Sequence, residues 1–225
     1  MKRYFITTLS VLLSLLWSVS SAYSQSQVYL YKTYNPRTKK TINEYSLTVD
    51  ELPGGKKKYT RQFTGKRMEE DEDFVLDGDF QTVEWTSTDE GEKTDYTGTK
   101  DGKIITVKGM LKGAPVEETI VLPDDKPFYF TPKFNLTKFV LSGETDMEFW
   151  MLRKDQLKEY LMQAHKEGVE TININGKDVE AVKIDYSAAG KWSKYYKRIY
   201  YYRKSDGLFI RRKSPDGDVT ELVSP

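Results

Sequence analysis

Short runs of alternating apolar and polar residues, divided by turn dipeptides, occupy the chain beyond its first 24 positions. From Lys103 onward, Ile105 and Val107 share one side of an extended chain. Ile104, Thr106 and Lys108 take the other, because successive side chains of a strand point to opposite faces. From Val179, the set Val179, Ala181, Lys183 and Asp185 alternates with Glu180, Val182, Ile184 and Tyr186. One apolar face and one wet face is the ordinary state of an antiparallel sheet. Further runs rich in β-branched and aromatic residues are Val28 to Thr33, Glu44 to Val49, Lys58 to Phe63, Val83 to Ser87, Glu117 to Leu122 and Phe128 to Thr131. Others follow at Tyr195 to Arg203, Leu208 to Lys213 and Val219 to Val223. Pro53-Gly54-Gly55, Asp77-Gly78, Asp101-Gly102, Asn175-Gly176, Asp206-Gly207 and Asp216-Gly217 mark the connections. Asn-Gly and Asp-Gly supply the positive φ that tight hairpins require. The pattern predicts a mainly β fold, an antiparallel meander forming a barrel, half-barrel or strongly curved sheet.

One segment follows a different period. Leu157, Tyr160, Leu161 and Ala164 fall at i, i+3, i+4 and i+7, which predicts one main amphipathic helix over about 155–167, packed against the sheet. Asp155 would cap its start and Gly168 would close its end. A shorter helical turn is predicted over Leu136 to Leu141, before Gly143. The acidic run Glu69 to Asp73 reads as a loop. No internal repeat and no low-complexity linker divides the chain, so residues 25–225 read as a single β-rich domain.

The first 24 residues change the picture from fold to compartment. Lys2 and Arg3 precede an apolar run from Ile6 to Val19, which ends in Ser20-Ser21-Ala22. This is the build of a cleaved signal peptide, residues 1–24. The run is shorter than the ~20 apolar residues that span a bilayer, and no later stretch approaches that length. The chain has no cysteine, hence no thiol to carry a lipid anchor. The expected location is therefore periplasmic or secreted. Charge is abundant but balanced at +1, and loss of Lys2 and Arg3 leaves −1. Nothing in that balance favours a nucleic-acid partner.

Candidate chemistry is sparse. His165 is the only histidine and no thiolates accompany it, so no metal site is predicted. In the predicted helix it would lie in the last turn, where a partial positive charge suits the dipole. No G-x-S-x-G elbow and no glycine-rich phosphate loop occurs, so no catalytic residue is assigned and no cofactor is expected. Glu69 to Asp73, with Asp77 and Asp79, lack the spacing of a calcium loop and read as a solvated face. Asn135-Leu136-Thr137 fits a glycosylation acceptor. The most unusual stretch is Lys191 to Lys213, where Trp192, Tyr195, Tyr196, Tyr200, Tyr201, Tyr202 and Phe209 interleave with eight Lys and Arg residues beyond Lys191 itself. It reads as a half-buried hairpin whose basic residues keep its outer face soluble. Used as a binding surface, it would suit an anionic lipid head group or a glycan.

The second half resembles a family of uncharacterised exported bacterial proteins, a domain of unknown function. The resemblance rests on Phe149-Trp150-Met151-Leu152-Arg153, Ala164-His165-Lys166-Glu167-Gly168 and Ile172-Asn173-Ile174-Asn175-Gly176. It continues through Glu180-Ala181-Val182-Lys183-Ile184 and Tyr201-Tyr202-Arg203-Lys204-Ser205-Asp206-Gly207-Leu208-Phe209. It covers about Lys126 to Leu222. Its organisation is similar to that of periplasmic carriers that sort lipoproteins, which implies a curved antiparallel sheet holding a helix over an apolar cavity. The resemblance carries no activity and no catalytic residues.

The leading expectation is a non-enzymatic protein that holds a lipid or other amphipathic ligand in a curved sheet, through Phe149, Trp150, Trp192, Tyr196, Tyr200 and Phe209. The alternatives are an envelope interaction module that binds a protein partner through its sheet edge or through Arg211 and Arg212, and a glycan-active enzyme built on two carboxylates.

Overall fold

The computed structural model describes residues 26–64, 70–190, 193 and 196–224. The expected leader, Glu69, Trp192 and Tyr195 lie outside the described residues. The strands are β1 (Gln27–Tyr34), β2 (Thr41–Leu52), β3 (Lys56–Thr64), β4 (Glu70–Leu76), β5 (Thr82–Asp89), β6 (Thr94–Asp101) and β7 (Ile104–Leu111). They continue as β8 (Ala114–Val121), β9 (Asp146–Arg153), β10 (Lys158–Ile174), β11 (Lys177–Ala188), β12 (Lys197–Arg203), β13 (Phe209–Lys213) and β14 (Val219–Ser224). All belong to one antiparallel sheet ordered β8-β7-β6-β5-β4-β3-β2-β1-β14-β13-β12-β11-β10-β9. Two meanders thus join at a single non-sequential seam, β1 against β14. The predicted turns hold. Asn175 and Gly176 both adopt positive φ, 52° and 79°, and pair Ile174 with Lys177 across a two-residue hairpin.

Among the described residues the α-helices are α1 (Pro132–Asn135) and α2 (Thr137–Leu141), and Pro53–Gly55 forms a 3-10 turn. The short turn expected at Leu136 to Leu141 is present as α2. The main helix expected over 155–167 is not: most of that segment is the first half of β10. Its buried residues are Met162 and Ala164 before a register shift between Lys166 and Gly168, and Ile172 and Ile174 after it, on the opposite face of the strand. Met162 lies opposite Phe149 on one side and Ala188 on the other. β9 pairs with residues 158–165 and β11 with residues 162–174, so each part of β10 has a strand to hydrogen-bond with, and this outweighs helix propensity. Leu157, assigned to the helical stripe, instead sits in the β9–β10 turn at φ 48°. Gly168, expected as a helix terminus, occupies the bulge at φ 136°. The acidic run is also corrected: from Glu70 it is strand β4, with Glu72, Phe74 and Leu76 all buried. Phe128 to Thr131 is an extended segment with one isolated bridge rather than a strand of the sheet.

That segment explains how the sheet curls. The Phe128 carbonyl accepts from the Thr82 amide at 3.0 Å, at the start of β5. The Tyr129 amide donates to the Trp150 carbonyl at 2.9 Å, and the Trp150 amide donates to Pro127 at 2.7 Å, on β9. Residues 127–130 therefore stitch β5 to the opposite end of the sheet. The sheet is rolled upon itself but not closed strand to strand. Inside the roll, the Phe134 ring of α1 meets Tyr31, Tyr59, Phe74 and Phe209 at centroid distances of 6.3, 6.0, 5.8 and 5.9 Å. Those partners come from β1, β3, β4 and β13, so one ring ties both meanders together. Asn135 is fully buried, and its side-chain amide donates to the Phe80 carbonyl at 2.7 Å and to the Thr82 hydroxyl at 3.0 Å. An amide held this way is closed to glycosylation. No helix among the described residues is long and apolar enough to cross a membrane.

Candidate functional site

The rolled sheet leaves a cavity of about 1050 Å³ beside the α1 plug. This is at the top of the range of small-molecule sites, ~300–1,000 Å³. Its walls come from β3, β9, β10, β11, β12 and β13, with Phe130 to Lys133 of the plug segment forming another side. Leu152, Leu161, Met162 and Ala188 line an apolar part. Tyr160, Tyr186, Tyr196 and Tyr200 line an aromatic part. Tyr186 stacks on Tyr200 at 5.1 Å and meets the edge of Tyr196 at 5.7 Å, while its hydroxyl donates to the Met151 sulfur at 3.0 Å.

The charged lining is almost wholly cationic. Arg61, Lys133, Arg153, Lys154, Lys158, Arg198 and Arg212 face the cavity, against Glu159 as the one lining carboxylate among the described residues. Some of these cations are neutralised nearby. Glu72, with no side-chain exposure, pairs with Arg61 at 2.6 Å and with Lys154 of the β9–β10 turn. Arg153 makes a two-pronged contact with Asp155, at 2.7 and 2.9 Å. Asp155, expected to cap a helix, is thereby held below the ordinary carboxylate range by its hydrogen bond to Arg153. Lys133 donates to the Tyr45 hydroxyl at 3.2 Å and lies 4.6 Å from that ring's centre. Burial pushes the Tyr45 and Tyr200 hydroxyls up; Arg61 and Arg212 pull the first back, and Arg198 and Arg212 the second. Both phenols stay protonated, and each accepts a hydrogen bond from a neighbouring cation, Tyr45 from Lys133 and Tyr200 from Arg198.

Of the six residues nominated from the sequence, the five that are described separate into three groups. Tyr196 and Tyr200 line the cavity. Phe149 and Phe209 are buried in the core: Phe149 contacts Tyr129 and Tyr186, and Phe209 contacts Tyr31, Tyr200 and Tyr202. Trp150 points to the other face of β9, where its indole donates to Asp124 at 2.7 Å. Hydrogen bonds from Lys126 and then from Trp150 lower the Asp124 carboxyl to about 2. Trp192 lies outside the described residues. The lining residues missed from the sequence, Arg61 on β3 and the plug cations and aromatics, come from far along the chain and carry no local signal.

The chain can now be set beside known proteins. Its fold is that of a barrel-like protein of unknown function. A crystal structure titled as a beta-barrel-like protein of domain of unknown function DUF1849, from Brucella abortus, matches 89% of this chain and 96% of its own, with a TM-score of 0.57 and 11% identity. At that identity the likeness is one of fold. The hypothetical lipoprotein YmcC of Escherichia coli also aligns, over 96% of this chain and 95% of its own, with a TM-score of 0.36 and 8% identity. No protein-family model and no curated protein matches the chain. The Brucella abortus neighbour is thus a β-barrel-like protein without a stated activity, in keeping with the resemblance drawn from the second half of the sequence.

Proposed function

We propose that this is a non-catalytic protein of the bacterial envelope that holds an amphipathic ligand inside its rolled sheet. The observation that carries the reading is the cavity of about 1050 Å³, in which Leu152, Leu161, Met162 and Ala188 of β9 to β11 stand beside cations drawn from β3, β9, β10, β12, β13 and the plug segment. A site of that volume that joins apolar and aromatic walls to a set of cations suits an amphiphile, with an apolar body and a polar or anionic end. The leader supports export, and with it a ligand met outside the cytoplasm. The lining offers stacked phenols and guanidinium groups rather than facing carboxylates, which favours binding over glycan hydrolysis.

Native mass spectrometry after gentle purification tests this. A bound amphiphile is expected, released by organic solvent and absent from a Leu161→Trp variant, whose indole would fill the cavity. A ligand-free mass, together with no uptake of a fluorescent alkyl probe, would remove the reading.

A further inference from the structure

The basic aromatic stretch of the sequence is sorted by the sheet into two populations. On β12, Lys197 is ion-paired with Asp185 and Arg203 with Asp206. Lys204, just beyond, pairs with Glu180. On β13, Arg211 holds Glu221 at 2.7 Å and the Asn173 carbonyl at 2.6 Å. Lys213 lies over the Tyr201 ring. These cations are accounted for by the protein itself.

Arg198 and Arg212 are different. Both line the cavity, and neither has a carboxylate partner among the described residues. Arg198 lies 4.7 Å from the centre of the Tyr196 ring and touches the Tyr200 hydroxyl. Arg212 has a buried Nε with no hydrogen-bond partner. Strand register brings the two together: Tyr200 pairs directly with Arg212, and Arg198 is two residues along the same face of β12. Such diagonal positions lie about 7–8 Å apart, within joint reach of one anion by two long side chains. A half-buried guanidinium without an anion is unfavourable, and its planar fork matches carboxylate and phosphate oxygens.

Resting on the ligand-binding reading above, we infer that Arg198 and Arg212 hold the anionic head group, a carboxylate or a phosphate ester, of an amphiphile whose apolar chain lies along Leu152, Leu161 and Met162. The Tyr200 hydroxyl lies between the two guanidinium groups as a further donor. The residues are supplied by adjacent strands of a rigid sheet, which gives the head group a fixed position.

Isothermal titration of the purified protein with hexadecanoate, hexadecyl phosphate, hexadecan-1-ol and inorganic phosphate, each alkyl probe below its aggregation threshold, tests the assignment. One or both anionic alkyl probes should bind at least tenfold more tightly than the alcohol, and the stronger of the two identifies the head group. Arg198→Gln with Arg212→Gln should erase that margin while leaving the affinity for the alcohol unchanged. Raising the ionic strength should narrow the margin in the unaltered protein, a readout that holds even where the double variant does not fold. Alcohol binding as tight as that of both anions would overturn the head-group site and leave the cavity reading standing. Inorganic phosphate binding as tightly as hexadecyl phosphate would overturn the amphiphile and leave a free-anion site. Absence of binding by all three alkyl probes would overturn the cavity reading itself.

Discussion

Single residues in this protein act through what stands opposite them in the sheet. Gly98 on β6 pairs with Trp85 on β5, and a Cβ at that position would lie 2.1 Å from the indole ring. Trp85 is 1% exposed and has Phe130 stacked on it at 5.0 Å, so it has nowhere to move. Gly98→Ala is expected to lower stability by about 1–3 kcal/mol, the usual range for overpacking a core. Denaturant titration measures this, and an unaltered midpoint would contradict the packing described. His165 shows a second kind of pairing. On β10 it faces Asp146 of β9, with Nδ1 and Oδ1 2.6 Å apart. That hydrogen bond raises the imidazole above 6.5 and lowers the carboxyl below 3.8. The histidine's share of stability is full below pH 6.5 and is lost as pH rises through its raised value. The carboxylate's share is present above pH 3.8 and is lost as pH falls through its lowered value. Both groups are solvent-exposed, so the contribution is small. In Asp146→Asn, an NMR titration should find the His165 midpoint moved down toward 6.5. An unmoved midpoint would sever the assigned link.

At the scale of elements, β10 is the informative case. The segment 155–167 contains Leu, Met, Gln, Ala, Lys and Glu, good helix formers, at helical spacing. Its strand state is imposed by β9 and β11 on either side. A synthetic peptide of residues 155–167, free of those neighbours, should be largely unordered in water and turn helical in trifluoroethanol by circular dichroism. Persistent β signal from the isolated peptide would mean that the strand preference is local after all. The contrast with β11 is physical. Lys177 to Ala188 alternates clearly from Val182 to Tyr186 and has an Asn-Gly turn before it, so its hairpin is legible from neighbouring residues. The first half of β10 has no such local mark, and β4 hides its strand character because Glu72 faces inward.

At the scale of the molecule, a small interior set holds the roll together. Phe134 bridges the two meanders, and the Glu72 contacts with Arg61 and Lys154 reach from β4 to the β9–β10 turn. Glu72→Gln removes the carboxylate that pairs with the buried Arg61 and with the partly exposed Lys154. Breaking a buried ion pair in this way costs about 3–5 kcal/mol. The variant should unfold at markedly lower denaturant, and it should also loosen the cavity wall to which Lys154 belongs. A stability within a few tenths of a kcal/mol of the unaltered protein would show that the triad does not close the roll.

Turns and alternation are properties of neighbouring residues. For that reason the order of hairpins, the antiparallel class and the positions of most strands are determined by the sequence alone. The glycines of Asp101-Gly102, Asn175-Gly176, Asp206-Gly207 and Asp216-Gly217 all take positive φ, and a period of two marks a face whatever lies against it. Only the tertiary structure decided that 158–174 is a strand, that 127–141 lies within the roll, and which aromatics are core and which line a cavity. It also decided that, of the basic residues on β12 and β13, Arg198 and Arg212 face inward without a carboxylate. Those outcomes depend on hydrogen-bond partners and counter-charges contributed by residues far apart in the chain, such as Thr82 for Phe128 and Glu72 for Lys154. No window of sequence contains both members of such a pair.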